Sequence, residues 1–207
     1  MTDPRDFRED VEHVPNSLFA LSEAIDAGEL YWPLTGVPRR LLLLGMGSSH
    51  FTADVCARRL RAAGIDAVAE VASVAHTWPA APDLAVVAIS AGGSSVETLQ
   101  AVEAHIGTSR VIALTNRVDS ELATRCDVVV PMHAGAEAGG VACRTFRNTI
   151  GCLLALESQL LCAAGPAAVL RRAGEATVDL LQRSPRWLPD VLEIGRASCR
   201  ERVSECV

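Results

Sequence analysis

The sequence predicts an α/β protein, a three-layer αβα sandwich built on a five-stranded, mostly parallel sheet. Three observations carry that reading. Short apolar runs alternate along the chain with segments of helical periodicity, in the order β-α-β-β-α-β-α-β. Two of the runs, Leu41 to Leu44 and Leu84 to Ile89, are apolar at every position, as suits strands buried on both faces of a parallel sheet. Each of these two then gives way to a helix through a short Ser/Gly loop. The first loop reads Gly45, Met46, Gly47, Ser48, Ser49; the second reads Ser90, Ala91, Gly92, Gly93, Ser94, Ser95.

Pro15 to Ala27 carries Leu18, Leu21 and Ile25 at helical spacing and stops at Gly28. After Arg39-Arg40 and the first strand, Thr52 to Ala63 keeps Val55, Leu60 and Ala63 near one face and ends at Gly64. A short strand, Ala67 to Val71, follows, and Trp78-Pro79 and Ala81-Pro82 break the chain before the third strand. The helix after the second loop starts near Ser95, with Glu97 in its first turn and Leu99 and Val102 facing inward. Arg110 to Leu114 reads as the fourth strand, Ser120 to Arg125 as a helix, and Asp127 to Val130 as the fifth strand. Beyond Gly139-Gly140 a long helix carries Phe146, Ile150, Leu153, Leu154 and Leu161, and an amphipathic stretch runs from Pro166 to Leu181.

Composition narrows the function classes. At 207 residues and 49% hydrophobic content, the chain can bury one full core and part of another. A net charge of -6 with no basic run argues against a nucleic-acid partner. All 19 basic residues are Arg, so a lysine Schiff base is excluded within this chain. The seven cysteines show no C-x-x-C pair and no metal-ligand spacing with the histidines, and read as reduced thiols; no metal and no cofactor are expected. The charged start, MTDPRDFRED, has no apolar signal segment, and no stretch is long enough to span a membrane, which makes the cytoplasm the expected compartment.

Both Ser/Gly loops should fall beyond the carboxyl ends of their strands, where ligands bind in such sheets. Small residues let backbone N–H groups approach a ligand, and the following helix N-terminus favours an anion. Together they predict a phosphate site made by Gly47, Ser48, Ser49, Ser90, Gly92, Gly93, Ser94 and Ser95. Two other readings stay open: both loops are only turns, or Gly45-x-Gly47 opens a dinucleotide fingerprint with Glu70 at the ribose, although His50 occupies the third glycine position. Ser48 and Ser94 can also be simple caps or turn residues. Cys143 has no evident activating base and reads as packing.

On these loops, and on HAGAEAGGVACRTF further along, the chain resembles the sugar isomerase (SIS) domain family over about residues 40 to 165, in its glucosamine-6-phosphate synthase-like branch. LLGMGSSH stands at the family's Cys-Gly-Thr-Ser loop, AISAGGSSVETL at its Ser-x-Ser-Gly-Glu-Thr loop, and HAGAEAGGVACRTF at its Ala-Gly-x-Glu-x-Gly block. The resemblance implies a flavodoxin-like fold, a hexose phosphate or amino-sugar phosphate as partner, and Ser49, Ser90 and Ser95 as phosphate ligands. It also implies that the chain is the first half of an aldose–ketose isomerase or deglycase, with a homodimer of the full-length protein. A non-catalytic sugar-phosphate-sensing module is the alternative, and an NAD-binding domain a further one. The chain departs from the family where Ala91, Gly92, Ser94 and Arg144 replace more polar or lysine residues. Glu137 matches a family Glu, with either a structural or a sugar-contacting role. With His50 and His133 it completes a set of catalytic candidates; Arg144 is read either as an anion holder or as a structural ion pair.

The organisation expected from this is a helical leader at 1–35, the SIS domain at 36–165, and a helical segment at 166–192 leading to a second SIS domain. Residues 193–203, EIGRASCRERV, resemble the conceptual translation of a sequencing adapter, so 193–207 is expected to be foreign to the natural protein, which would continue past residue 192.

Overall fold

A computed structural model describes residues 3–34, 38–75 and 77–204, with backbone alone from residue 194 onward. The boundary expected at 35–36 and the last three residues of the tail lie outside them. The chain forms α1 (Pro4–Glu12), α2 (Val14–Asp26), β1 (Arg40–Gly45), α3 (Gly47–Ala62), β2 (Asp66–Val71) and β3 (Leu84–Ile89). It continues through α4 (Val96–Glu103), β4 (Arg110–Thr115), α5 (Glu121–Arg125), β5 (Val128–Pro131), α6 (Arg144–Leu160) and α7 (Ala167–Ser204).

The five strands make one sheet in the order β2-β1-β3-β4-β5, and every pairing between them is parallel. Alternation along β1 divides the core. Leu41 and Leu43 face the layer of α2, α3 and α6, whereas Leu42 and Leu44 face α4 and α5. All four leucines are fully buried. At about 1.5–3 kcal/mol for each such side chain, β1 is the hydrophobic centre of the sheet.

The N-terminal segment is part of this core. Trp32 is 0% exposed, its Nε1 donates to the Cys152 carbonyl at 3.1 Å, and its main chain exchanges hydrogen bonds with the Gln159 amide at 3.1 and 2.6 Å. Asn148 of α6 accepts from Ser17 Oγ at 3.1 Å and donates to the Ser17 carbonyl. Gly151 is needed at this crossing, because a Cβ there would lie 2.6 Å from Leu21 and 3.0 Å from Leu170.

Three elements differ from expectation. The helix α1, whose bounds within the expected helical leader the sequence reading did not give, is started by Asp3, whose side chain accepts from the Arg5 N–H, with Pro4 in its first turn. The helix α3 begins at Gly47 rather than Thr52, so the first Ser/Gly loop is largely its first turn. The helix α7 runs beyond Leu181 to Ser204, through Pro185 and Pro189, each of which removes a main-chain donor. Trp187, Leu188, Val191 and Leu192 on this part are exposed. No described helix is long and apolar enough to cross a membrane.

Trp32→Ala should lower the free energy of urea unfolding by about 3–5 kcal/mol, through the cavity it leaves. A loss under about 1 kcal/mol would show that the segment before β1 is peripheral to the core.

Candidate functional site

The strand order reverses direction between β1 and β3: the chain leaves β1 toward the β2 edge and leaves β3 toward β4. Gly45 of β1 is level with Ile89 of β3, so both Ser/Gly loops leave the sheet side by side at this switch point. Gly45 lets α3 turn back at once, since a Cβ there would lie 2.9 Å from Ser49 Cβ and 3.0 Å from the His50 nitrogen. Gly47 takes a positive φ of 50°, within the left-handed region that glycine tolerates.

The second loop is braced from β4. Thr115 Oγ1 and the Asn116 N–H both donate to the Ala91 carbonyl, at 3.2 and 3.1 Å. The Gly93 N–H closes a turn onto the Ser90 carbonyl at 3.1 Å, and a Cβ on Gly93 would meet Ser120 Oγ at 2.0 Å. Ser90 is buried, and Ser49 is half-buried at the start of α3.

A third wall comes from the loop before α6. Glu137 accepts from the N–H groups of Cys143, Arg144 and Thr145 at 2.7, 2.5 and 3.3 Å, and from Thr145 Oγ1 at 2.5 Å. It therefore caps α6, whose own N-cap residue, Cys143, supplies no side-chain hydrogen bond. Asp10 of α1, 3% exposed, clasps the same loop. It accepts from the N–H groups of Ala138 and Gly139 at 3.0 and 2.6 Å and from Arg144 Nη2 at 2.6 Å. Burial alone would raise the Asp10 pKa; the hydrogen bonds from Gly139, Arg144 and Ala138 outweigh it and hold the carboxyl below its usual value. Gly139 admits α1 here, as a Cβ would lie 2.4 Å from Phe7 Cα.

The three walls meet at a crevice of about 20 Å³, room for one water-sized group, lined by Ser48, Ser49, Ala91, Thr145, Phe146 and Thr149 among others. The structure thus brings Ser48 and Ser49 beside the second loop at Ala91, next to Ser90. Gly92, Gly93, Ser94 and Ser95 do not line this crevice. Ser95 is the N-cap of α4: its Oγ accepts from the Thr98 N–H at 3.4 Å and donates to Glu97 at 2.9 Å. Ser94, for which a capping role was open, is not the cap.

Among the described residues no hydrogen bond joins any two of the catalytic candidates Glu137, His50 and His133. Glu137 is spent on the α6 cap, and His50 sits in the first turn of α3. His133 takes a positive φ of 53° and its carbonyl accepts from Asn148, while its Nε2 is buried with no partner among the described residues. Burial lowers its pKa, against a smaller opposing influence of Glu29. Arg144 forms an ion pair with Asp10. Burial raises the pKa of the Cys56, Cys126, Cys143 and Cys152 thiols, and no cluster suited to a metal occurs among the described residues. Sequence reasoning missed Asp10 and Thr145. The signal for Asp10 was a carboxylate three residues after Phe7 and four before Val14, on the apolar side of a helix.

A parallel doubly wound sheet with two small-residue loops at its switch point defines a class of α/β ligand-binding domains. Within that class the chain belongs to the SIS domain family, whose profile matches residues 37–157. It is 36% identical over 171 residues to the glutamine–fructose-6-phosphate aminotransferase (isomerizing) of Aeropyrum pernix, covering 80% of this chain and 27% of that protein. Its fold matches tagatose-6-phosphate ketose/aldose isomerase from Escherichia coli with a TM-score of 0.66 at 18% identity, over 84% of this chain and 52% of that one. It also matches the sugar isomerase domain of an RpiR transcription factor from Sphaerobacter thermophilus, with a TM-score of 0.53 at 18% identity, over 86% and 97%. The chain spans about a quarter of the Aeropyrum relative's length.

Asp10→Ala leaves Arg144 charged and unpaired in the interior and should cost about 3–5 kcal/mol of stability by chemical denaturation. The Asp10 contribution is present above the ordinary carboxylate pKa and is lost as pH falls through the lowered one. Asp10→Asn should therefore flatten the acid limb of the stability curve. An unchanged limb would show that the clasp does not depend on the ionised carboxylate.

Proposed function

We propose that this domain binds a hexose phosphate or amino-sugar phosphate by its phosphate, at the start of α3, as the non-catalytic half of a synthase-like isomerase or deglycase. One observation carries the reading. Of the four helices that start at the carboxyl edge, α4 and α5 are capped by Ser95 and Ser120 and α6 by Glu137, whereas α3 has neither a side-chain cap nor an acidic residue in its first turn. Its first two N–H groups, those of Gly47 and Ser48, and the positive end of its dipole are left for an external anion, whereas the Ser49 N–H donates to the Met46 carbonyl at 3.0 Å; the Ser48 and Ser49 hydroxyls lie beside them and Ser90 across the crevice. The family and the sugar-phosphate relatives support the same ligand class.

Isomerisation moves a proton between C1 and C2 and needs a base and an acid. Glu137 is engaged by the start of α6, and under this reading proton transfer falls to residues beyond this chain's site. A sensing role uses the same phosphate cradle without any turnover, and the match over nearly the whole length of the RpiR sugar isomerase domain favours keeping it as a second reading. The apolar groove of about 180 Å³ between α3 and α6, with Phe51, Val55 and Ile150 exposed along it, is where a homodimer of the full-length protein would bury surface.

Calorimetric titration with glucosamine 6-phosphate tests the proposal. Ser49→Ala and Ser90→Ala should each weaken binding by about 1–3 kcal/mol, roughly 5- to 150-fold, and free glucosamine should bind poorly. Unchanged affinity in both folded variants, or equal binding of the free sugar, would reduce the loops to turns. Robust turnover of fructose 6-phosphate by this chain alone would overturn the non-catalytic role and return attention to Glu137, His50 and His133.

A further inference from the structure

The pairing of β4 with β5 ends at Thr115 and Pro131, and is closed by the Met132 N–H donating to the Thr115 carbonyl at 3.0 Å. Past this point the chain turns away at His133, which takes a positive φ of 53°. Main-chain groups released from a ladder in this way need partners from elsewhere. Asn116, the first residue after β4, supplies them. Its Oδ1 accepts from the Ala134 N–H at 3.1 Å and its Nδ2 donates to the Gly135 carbonyl at 2.6 Å, so the side-chain amide stands in for one more rung of the sheet. Only this orientation of the amide serves both groups, since an N–H needs the oxygen and a carbonyl needs the nitrogen.

The same residue reaches the opposite wall through its main chain. Its N–H donates to the Ala91 carbonyl at 3.1 Å, and Ala91 lines the crevice. Asn116 therefore binds both the second Ser/Gly loop and the loop that follows β5. The latter loop shapes the start of α6. Gly135, with a positive φ of 69°, leads to Ala136, whose carbonyl accepts from Arg144, and to Glu137, which accepts from the N–H groups of Cys143 and Arg144. The first turns of α6 then lend Thr145, Phe146 and Thr149 to the crevice. A run of hydrogen-bonded segments thus joins two of the three walls, with Asn116 at its middle.

Groups that bind a ligand act only as well as their supports fix them. Resting on the reading that a sugar phosphate is held at this crevice, we propose that Asn116 is a positioning residue of the site. Its side chain stays off the ligand and sets the spacing between the second loop and the start of α6, and with it the fit of the phosphate between them. Gln159 offers a matched comparison. Its amide also spans a main-chain N–H and a carbonyl, both of Trp32, but at the opposite end of α6. Removing either amide breaks two bonds of the same kind, and only those of Asn116 lie between the walls of the crevice.

Calorimetric titration of the whole chain with glucosamine 6-phosphate, alongside amide hydrogen exchange of the free protein, tests the assignment. Asn116→Ala should weaken binding by about five- to tenfold, the scale of one lost hydrogen bond. Asn116→Ser, too short to span both main-chain groups, should act in the same direction. Gln159→Ala should lower the melting temperature yet leave the affinity unchanged, which a merely structural role for Asn116 would not distinguish. Thermal melts confirm that each variant is folded at the titration temperature. In free Asn116→Ala the Cys143 and Arg144 amides should exchange faster than in the unsubstituted chain, with the Thr98 amide under Ser95 unaltered. Unchanged affinity in both Asn116 variants, an equal loss in Gln159→Ala, or unaltered exchange at Cys143 and Arg144 would overturn the positioning role and leave the phosphate reading intact. Absence of binding by the unsubstituted chain would overturn both.

Discussion

The in-register parallel pairing of β1 with both β2 and β3 is the constraint on which the carboxyl edge depends. It sets Gly45 level with Val71 on one side and with Ile89 on the other, so the three strands end together. The four leucines of β1 enforce that register, because a slip of one residue would exchange the side chains that face the two helical layers. With the register fixed, Gly45 has room for only one continuation, the immediate turn into α3 that its missing Cβ allows.

Of the four helices that start at this edge, all but α3 have their N-termini capped by a side chain of the chain itself. Glu137 fills the anion position at α6, and Ser95 with Glu97 fills that at α4. The N-terminal helix α1 contributes at a distance from the sheet, because Asp10 holds the loop that carries Glu137. Under the proposed function, an anion at the edge is directed to α3 by exclusion as much as by attraction. A second carboxylate at α3 would remove the preference without altering the fold.

Much of the sheet was legible in the sequence because its strands are extreme cases. Leu41 to Leu44 and Leu84 to Ile89 have no polar interruption, and both observed strands agree to within a residue at either end. Helix starts were less legible. Gly47, Ser48 and Ser49 read as a loop by composition, yet they are the first turn of α3, since tertiary packing overrides their low helix propensity. The helix α1 has too few apolar residues to announce itself and is held by Asp10, whose partners lie more than a hundred residues away. In the site, local composition marked the right loops but could not tell ligand from cap. Ser95 and Ser49 look alike in sequence, and only the position of the next helical N–H, that of Thr98, commits Ser95 to the fold. Glu137 likewise carries the pattern of a functional carboxylate and satisfies α6 instead.

The central claim is that the α3 N-terminus alone receives the phosphate. Amide chemical shifts followed by NMR during a titration with glucosamine 6-phosphate test it most directly. The account predicts saturable shifts of the Gly47, Ser48 and Ser49 amides, with the Val96 and Thr145 amides at the starts of α4 and α6 moving little. Saturable shifts centred on Val96 or Thr145, or none at α3, would contradict it.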